Sequence, residues 1–194
     1  MPTSKEEIAS AALTLVGANS ISSFTEDSNE ARAADSLYET ELKALLAEHP
    51  WRFAMKSQAM VKLAVAPSSA HEAAYPVPSD CIRPHSVHRG TTQYTVIKEF
   101  EVFGNEIHTW SDTEFILDYV ARVTEDLFPA WFVTTLEYRL AAIFAAAVAH
   151  NGELANFWAG MARNKSMESR HVDSVQDEPN RIHPTRFTEY KRAF

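Results

Sequence analysis

Apolar residues recur at helical spacing in four stretches of this chain, and the segment between the second and third alternates as strands do. The strongest helical pattern places Phe132, Leu136, Leu140, Ile143 and Ala147 on one face. Spacings of three and four bring such side chains into one stripe that meets a core. Beside that stripe run Ala141, Ala142, Ala145, Ala146 and Ala149, which favour the helix and let a neighbour approach closely. Pro129 suits the first turn, where its missing N–H costs nothing. Asn151-Gly152 is expected to end the helix, since both residues tolerate left-handed backbone. The next helix is expected to pack through Leu154, Phe157, Trp158, Met161 and Lys165. Together these predict a helical hairpin over residues 129–150 and 152–170.

Two helices are predicted upstream, over 4–17 and 26–48. Thr3 with Glu6 and Ser4 with Glu7 form overlapping capping boxes. Ile8, Ala11, Ala12 and Leu15 supply the apolar face, and Gly17 closes it. Thr25-Glu26-Asp27-Ser28 offers caps and acidic residues for the next helix start, whose face is Ala31, Ala34, Tyr38, Leu42 and Leu45. Pro50 ends it, because proline disfavours helical backbone in the residue before it. Residues 51–123 predict a small antiparallel β region. Its candidate strands are 59–65, 81–88, 94–97, 99–103, 106–110 and 115–123, with Gly104-Asn105 as a hairpin turn. Residues 75–80 are too proline-rich for a central strand. The predicted fold is α+β but mainly α-helical: a bundle of two N-terminal helices and the long hairpin, with the β region inserted. Residues 1–178 form one domain and 179–194 an extended C-terminal arm.

The 194 residues suffice for one domain with a sizeable core. No apolar run reaches the roughly 18–20 residues that cross a bilayer, and nothing resembles a signal peptide. One cysteine, Cys81, excludes an intramolecular disulfide. The formal net charge of −8 argues against a sequence-independent grip on nucleic acid. That charge is uneven. Residues 1–50 carry three basic side chains against nine acidic ones, whereas 179–194 carry four basic against one acidic.

Catalytic motifs are absent: no GxGxxG, P-loop, GxSxG, HExxH or CxxC occurs. Cys81 with His85 or His88 is the one nucleophile candidate, weighed against the ordinary role of a lone cysteine as a small buried hydrophobe. His85-x-x-His88 has a metal-ligand spacing, but residues three apart on a strand face opposite ways. His71 or His108 would have to converge from elsewhere to complete a site. Glu30, Glu41 and Glu48 read as a solvated helix face. Trp51, Phe53, Phe157 and Trp158 read as core aromatics, not base-stacking platforms. No catalytic residue, cofactor or metal is predicted.

Three segments resemble a known family, and the Ala-rich helix from Leu136 to Ala149 also fits it. The first is Ile8-Ala9-Ser10-Ala11-Ala12-Leu13-Thr14-Leu15-Val16-Gly17 with Ile21-Ser22-Ser23-Phe24 and the acidic run from Glu26 to Ala31. The second is His49-Pro50-Trp51-Arg52-Phe53-Ala54, similar to a Pro-Trp-aromatic-Ala motif. The third is Tyr75-Pro76-Val77-Pro78-Ser79-Asp80-Cys81-Ile82-Arg83, similar to a Tyr-x-x-Pro-x-Asp-Cys-Leu-Arg segment. These resemble the tail tubular protein A family, the head-to-tail adaptors of short-tailed bacteriophages. The resemblance covers most of residues 8–165, and the arm after Pro179 lies outside it.

That resemblance implies a structural virion protein of the tail connector, assembled in the host cytoplasm. It implies a dodecameric ring between the portal protein and a tail nozzle protein similar to tail tubular protein B, with genomic DNA passing through unbound. Carboxylates on a channel wall would repel the phosphates, and Glu26, Asp27, Glu30 and Asp35 are the candidates for that wall. The arm, through Arg181, Ile182, Pro184, Arg186, Phe187 and Tyr190, is the candidate portal-binding segment, with its aromatics as anchors. The alternatives are a small cytoplasmic regulatory module that binds protein or DNA, and a Cys81-dependent enzyme.

Overall fold

The computed structural model describes residues 4–65, 67, 69–89, 95–96, 100–110 and 114–176. Four helices appear in the predicted order: α1 (Lys5–Leu15), α2 (Asn29–Glu48), α3 (Ala130–Ala147) and α4 (Gly152–Val175). Seven strands lie between α2 and α3: β1 (Met55–Met60), β2 (Ala73–Pro76), β3 (Cys81–Arg89), β4 (Thr95–Val96), β5 (Phe100–Phe103), β6 (Glu106–Thr109) and β7 (Phe115–Ala121). They form two antiparallel sheets, one ordered β1-β7-β3-β4 and the other β2-β6-β5. The expected mainly helical bundle with a small β insertion is therefore wrong: the fold is α+β, with two sheets as a full structural layer. The reason is non-local pairing. β1 pairs with β7 from Met55↔Val120 to Met60↔Phe115, and β7 pairs in turn with β3. Short strands with weak alternation gain their stability from such distant partners, which a local pattern underweights.

Helix starts follow the caps. Ser4 accepts the Glu7 N–H while Glu7 reaches back to the Ser4 N–H, a reciprocal capping box. Ser28 accepts the Ala31 N–H at 3.1 Å, so α2 begins three residues later than predicted. Between α3 and α4 the left-handed residue is His150, with φ 50°. Asn151 is not a stop; it caps α4 by accepting the Leu154 N–H at 3.0 Å. Gly104, at φ 58°, turns the β5–β6 hairpin as predicted.

One core joins helices and sheets. α2 supplies Ala31, Ala34, Tyr38, Leu42 and Leu45, all buried as expected. α1 buries Ile8, Ala9, Ala12 and Leu13, while Leu15 is partly exposed. α3 buries Phe132, Leu136, Leu140, Ala141, Phe144 and Ala145. Phe144 takes the place expected for Ile143, which is only half-buried, and Ala147 is exposed. Trp51 is fully buried. Its indole N–H donates to the Leu45 carbonyl at 2.9 Å, and its ring contacts Phe53, Trp131 and Phe132. The Pro50-Trp51 segment is thus the joint at which α2, β1 and α3 meet. From the sheets come Val87, Ile107, Phe115, Leu117 and Val120.

Candidate functional site

α4 is turned inside out. At 100° per residue, Ala162, Ser166, Ser169 and Asp173 share one face, and these are its buried residues. Phe157, Met161, Val172 and Val175 share the opposite face and are 57%, 38%, 36% and 65% exposed. The expected packing face of Leu154, Phe157, Trp158, Met161 and Lys165 holds in part: Leu154 and Trp158 are partly buried against the core, Trp158 beside Tyr138, but Phe157 and Met161 look outward. Two of the three polar side chains on the inner face, Ser169 and Asp173, have partners, whereas Ser166 Oγ has none among the described residues. Ser169 shares a hydrogen bond of 2.8 Å with Thr135 and donates to the Trp131 carbonyl at 3.1 Å. The Asp173 carboxylate accepts the Arg52 N–H at 3.2 Å and His49 Nε2 at 3.2 Å. Small side chains on this face let α4 sit close to α3, and Phe157, Met161, Val172 and Val175 are left to the outside.

Where α2, α3 and α4 meet, a groove of about 470 Å³ opens. Its polar lining is Glu41, Glu48, Arg139, Arg163, Ser166 and Arg170. Glu48 pairs with Arg139 Nη1 and Arg170 Nη2, each at 2.6 Å, and Glu41 lies 3.6 Å from Arg139. Of the solvated helix face expected here, Glu48 is indeed exposed, but both Glu41 and Glu48 are engaged in ion pairs with other helices. Arg170 and Glu48 are 122 residues apart in sequence, and no local signal marks such a pair. Arg163 stands exposed at the rim and has no ion pair among the described residues.

The predicted acidic wall divides. Glu26 accepts the N–H groups of Ser22 and Ser23 at 2.7 and 3.0 Å, and Glu30 accepts the Asn19 amide at 2.9 Å. A backbone hydrogen bond and that Asn19 amide hold the Glu30 carboxyl below its ordinary range. These two brace the loop between α1 and α2. Asp27 pairs with Arg32, and Asp35 is exposed. The candidate arm residues Arg181, Ile182, Pro184, Arg186, Phe187 and Tyr190 lie outside the described residues.

Cys81 opens β3 beside Asp80. Burial, then the Asp80 charge, pushes its thiol up to about 11, the opposite of what a nucleophile needs. His85 is exposed and His88 buried, so they form no chelating pair. His88 Nε2 instead lies 3.3 Å from Asp118. Asp118 also accepts Ser57 at 2.5 Å and Ser86 at 2.8 Å, its cross-strand neighbours on β1 and β3. Burial raises its carboxyl, but these donors outweigh it and hold it low. Both hydroxyls, of Ser57 and Ser86, bond the carboxylate and not His88. The convergence that sequence spacing missed is elsewhere: Ser69 bridges Nδ1 of His71 and of His108, each at 2.8 Å, with Glu106 at 2.9 Å from His108 Nε2. Among the described residues no group of three His, Cys, Asp or Glu is placed to hold a metal ion.

Asp80 explains the Pro78-to-Arg83 segment. It binds Lys56 at 2.7 Å and the Tyr119 hydroxyl at 3.0 Å, while its carbonyl accepts the Arg122 N–H. Burial and the Asp80 carboxylate push the Tyr119 phenol up to about 12. Arg122 in turn grips Glu39 and Glu125 at 3.0 and 2.8 Å, tying α2 to the turn before α3. No described helix is long and apolar enough to cross a membrane. The chain matches no model of a known protein family, and no curated protein matches it.

Proposed function

We propose that this protein is a head-to-tail adaptor of a short-tailed bacteriophage. In this reading it forms a dodecameric ring between the portal and the tail nozzle, and the ring encloses the channel through which DNA leaves. The observation that carries the reading is the outward apolar face of α4, with Phe157 and Val175 more than half exposed at its two ends. Apolar side chains aligned along an exposed helix mark a surface that another protein covers. The second and third family-like segments support it from another side, because both serve as joints of the fold: Trp51 under α2 and α3, and Asp80 between β1 and β7. Asp35 is exposed and so is Asp27, which pairs with Arg32, and both can face a channel, whereas Glu26 and Glu30 are committed to the α1–α2 loop. The basic, aromatic arm of residues 179–194 is the portal contact.

The test is light scattering and electron microscopy of the purified protein, alone and mixed with the portal of the same phage. Rings seated on the portal are the expected result, whether or not the free protein is monomeric. Truncation after Glu178 leaves the melting curve unchanged and abolishes portal binding. A protein that never joins the portal removes this reading and favours a regulatory module.

A further inference from the structure

The groove between α2, α3 and α4 has a charge pattern that its own residues leave incomplete. Three guanidiniums and two carboxylates line it. Arg139 and Arg170 are matched by Glu41 and Glu48, which among the described residues leaves Arg163 as the unpaired cation of the lining. Two donors deeper in the groove are also open. Ser166 is 8% exposed, and its Oγ has no hydrogen-bond partner. Arg170 Nε is buried and likewise without an acceptor. Buried donors are normally satisfied, so a guanidinium at the mouth and two open donors below it ask for acceptor oxygens from outside. The remaining wall is apolar, with Ala142, Ile143 and Ala159 beside Met167, which is 58% exposed.

We propose that this groove docks an acidic side chain of a partner protein, carried in a segment with apolar neighbours. The carboxylate bonds Arg163 at the rim and the open donors of Ser166 and Arg170, and the flanking apolar residues lie on Ile143, Ala159 and Met167. Charge complementarity selects this occupant. Planar guanidinium groups favour carboxylates through paired N–H donors, and the apolar wall offers nothing to the sugars and phosphates of a nucleic acid. Only the identity of that partner rests on the adaptor reading.

The experiment uses the full chain and a fluorescein-labelled peptide, Ala-Leu-Asp-Leu-Ala, with a twin carrying Asn in place of Asp. Fluorescence polarisation is followed to millimolar protein. The Asp peptide is expected to bind about tenfold more tightly than its twin, and salt should weaken it. Arg163→Gln, an exposed change, removes that discrimination with an unchanged melting curve. Ser166→Ala weakens the Asp peptide several-fold without lowering the melting temperature, since it deletes an unpartnered hydroxyl. Equal binding of the two peptides, no binding, or full discrimination by Arg163→Gln overturns the proposal. So does displacement of the peptide by a short DNA duplex. The adaptor reading fails separately, when wild-type protein discriminates the peptides yet forms no ring on the portal.

Discussion

α3 and α4 lie side by side and treat their large side chains in opposite ways. α3 turns Phe132, Leu136, Leu140 and Phe144 into the core, whereas α4 turns Phe157, Met161, Val172 and Val175 away from it. What α4 buries is small or polar: Ala162, Ser166, Ser169 and Asp173. The contrast separates two uses of apolar surface. On α3 it holds this chain together, and on α4 it is left for something outside the chain. Burying polar groups is costly unless they find partners, and Thr135, the Trp131 carbonyl, His49 and the Arg52 N–H supply them for Ser169 and Asp173.

Three substitutions sharpen this contrast. The largest effect is expected on α3, where Phe132→Ala opens a cavity among Trp51, Phe53, Phe128 and Trp131. It should cost about 3–5 kcal/mol in urea unfolding. Asp173→Ala comes next. It strips the acceptor from the Arg52 N–H and from His49, and should cost about 1–3 kcal/mol by the same measurement. A smaller loss would mean that the polar inner face of α4 contributes little to the fold. Phe157→Ser should change stability least, within about 0.5 kcal/mol, while removing ring formation on the portal. If Phe157→Ser destabilises the isolated protein as Phe132→Ala does, the two helices are alike and the assembly role of α4 is lost.

Much of the helical frame was legible. Ala31, Ala34, Tyr38, Leu42 and Leu45 repeat at helical spacing and all are buried, because one side of α2 faces a single continuous core. Ser4 with Glu7 read as a capping box and formed one, since its partners are three residues apart and need no other element. Legibility failed where the partner is distant. Glu41 and Glu48 looked solvated because Arg139 and Arg170 approach only when α3 and α4 fold back on α2. Ser69, His71, His108 and Glu106 meet only through the β2–β6–β5 sheet and its adjoining loop. The fold class was misjudged for the same reason. β7 is strong by composition, but its partners β1 and β3 are weak alone and become strands by pairing with it.

The sequence by itself determined what depends on neighbours within a few residues: the four helices, most of their caps, the Gly104 turn and the absence of a recognisable catalytic motif. Tertiary structure alone decided which face of α4 is buried. An apolar stripe of Phe157 and Met161 and a small polar stripe of Ser166, Ser169 and Asp173 occupy the same helix, and hydrophobicity alone selects the first. The second prevails because Asp173, some 120 residues from His49 and Arg52 in sequence, finds its donors only in the folded chain. Close approach to α3 then leaves Phe157 and Met161 to solvent.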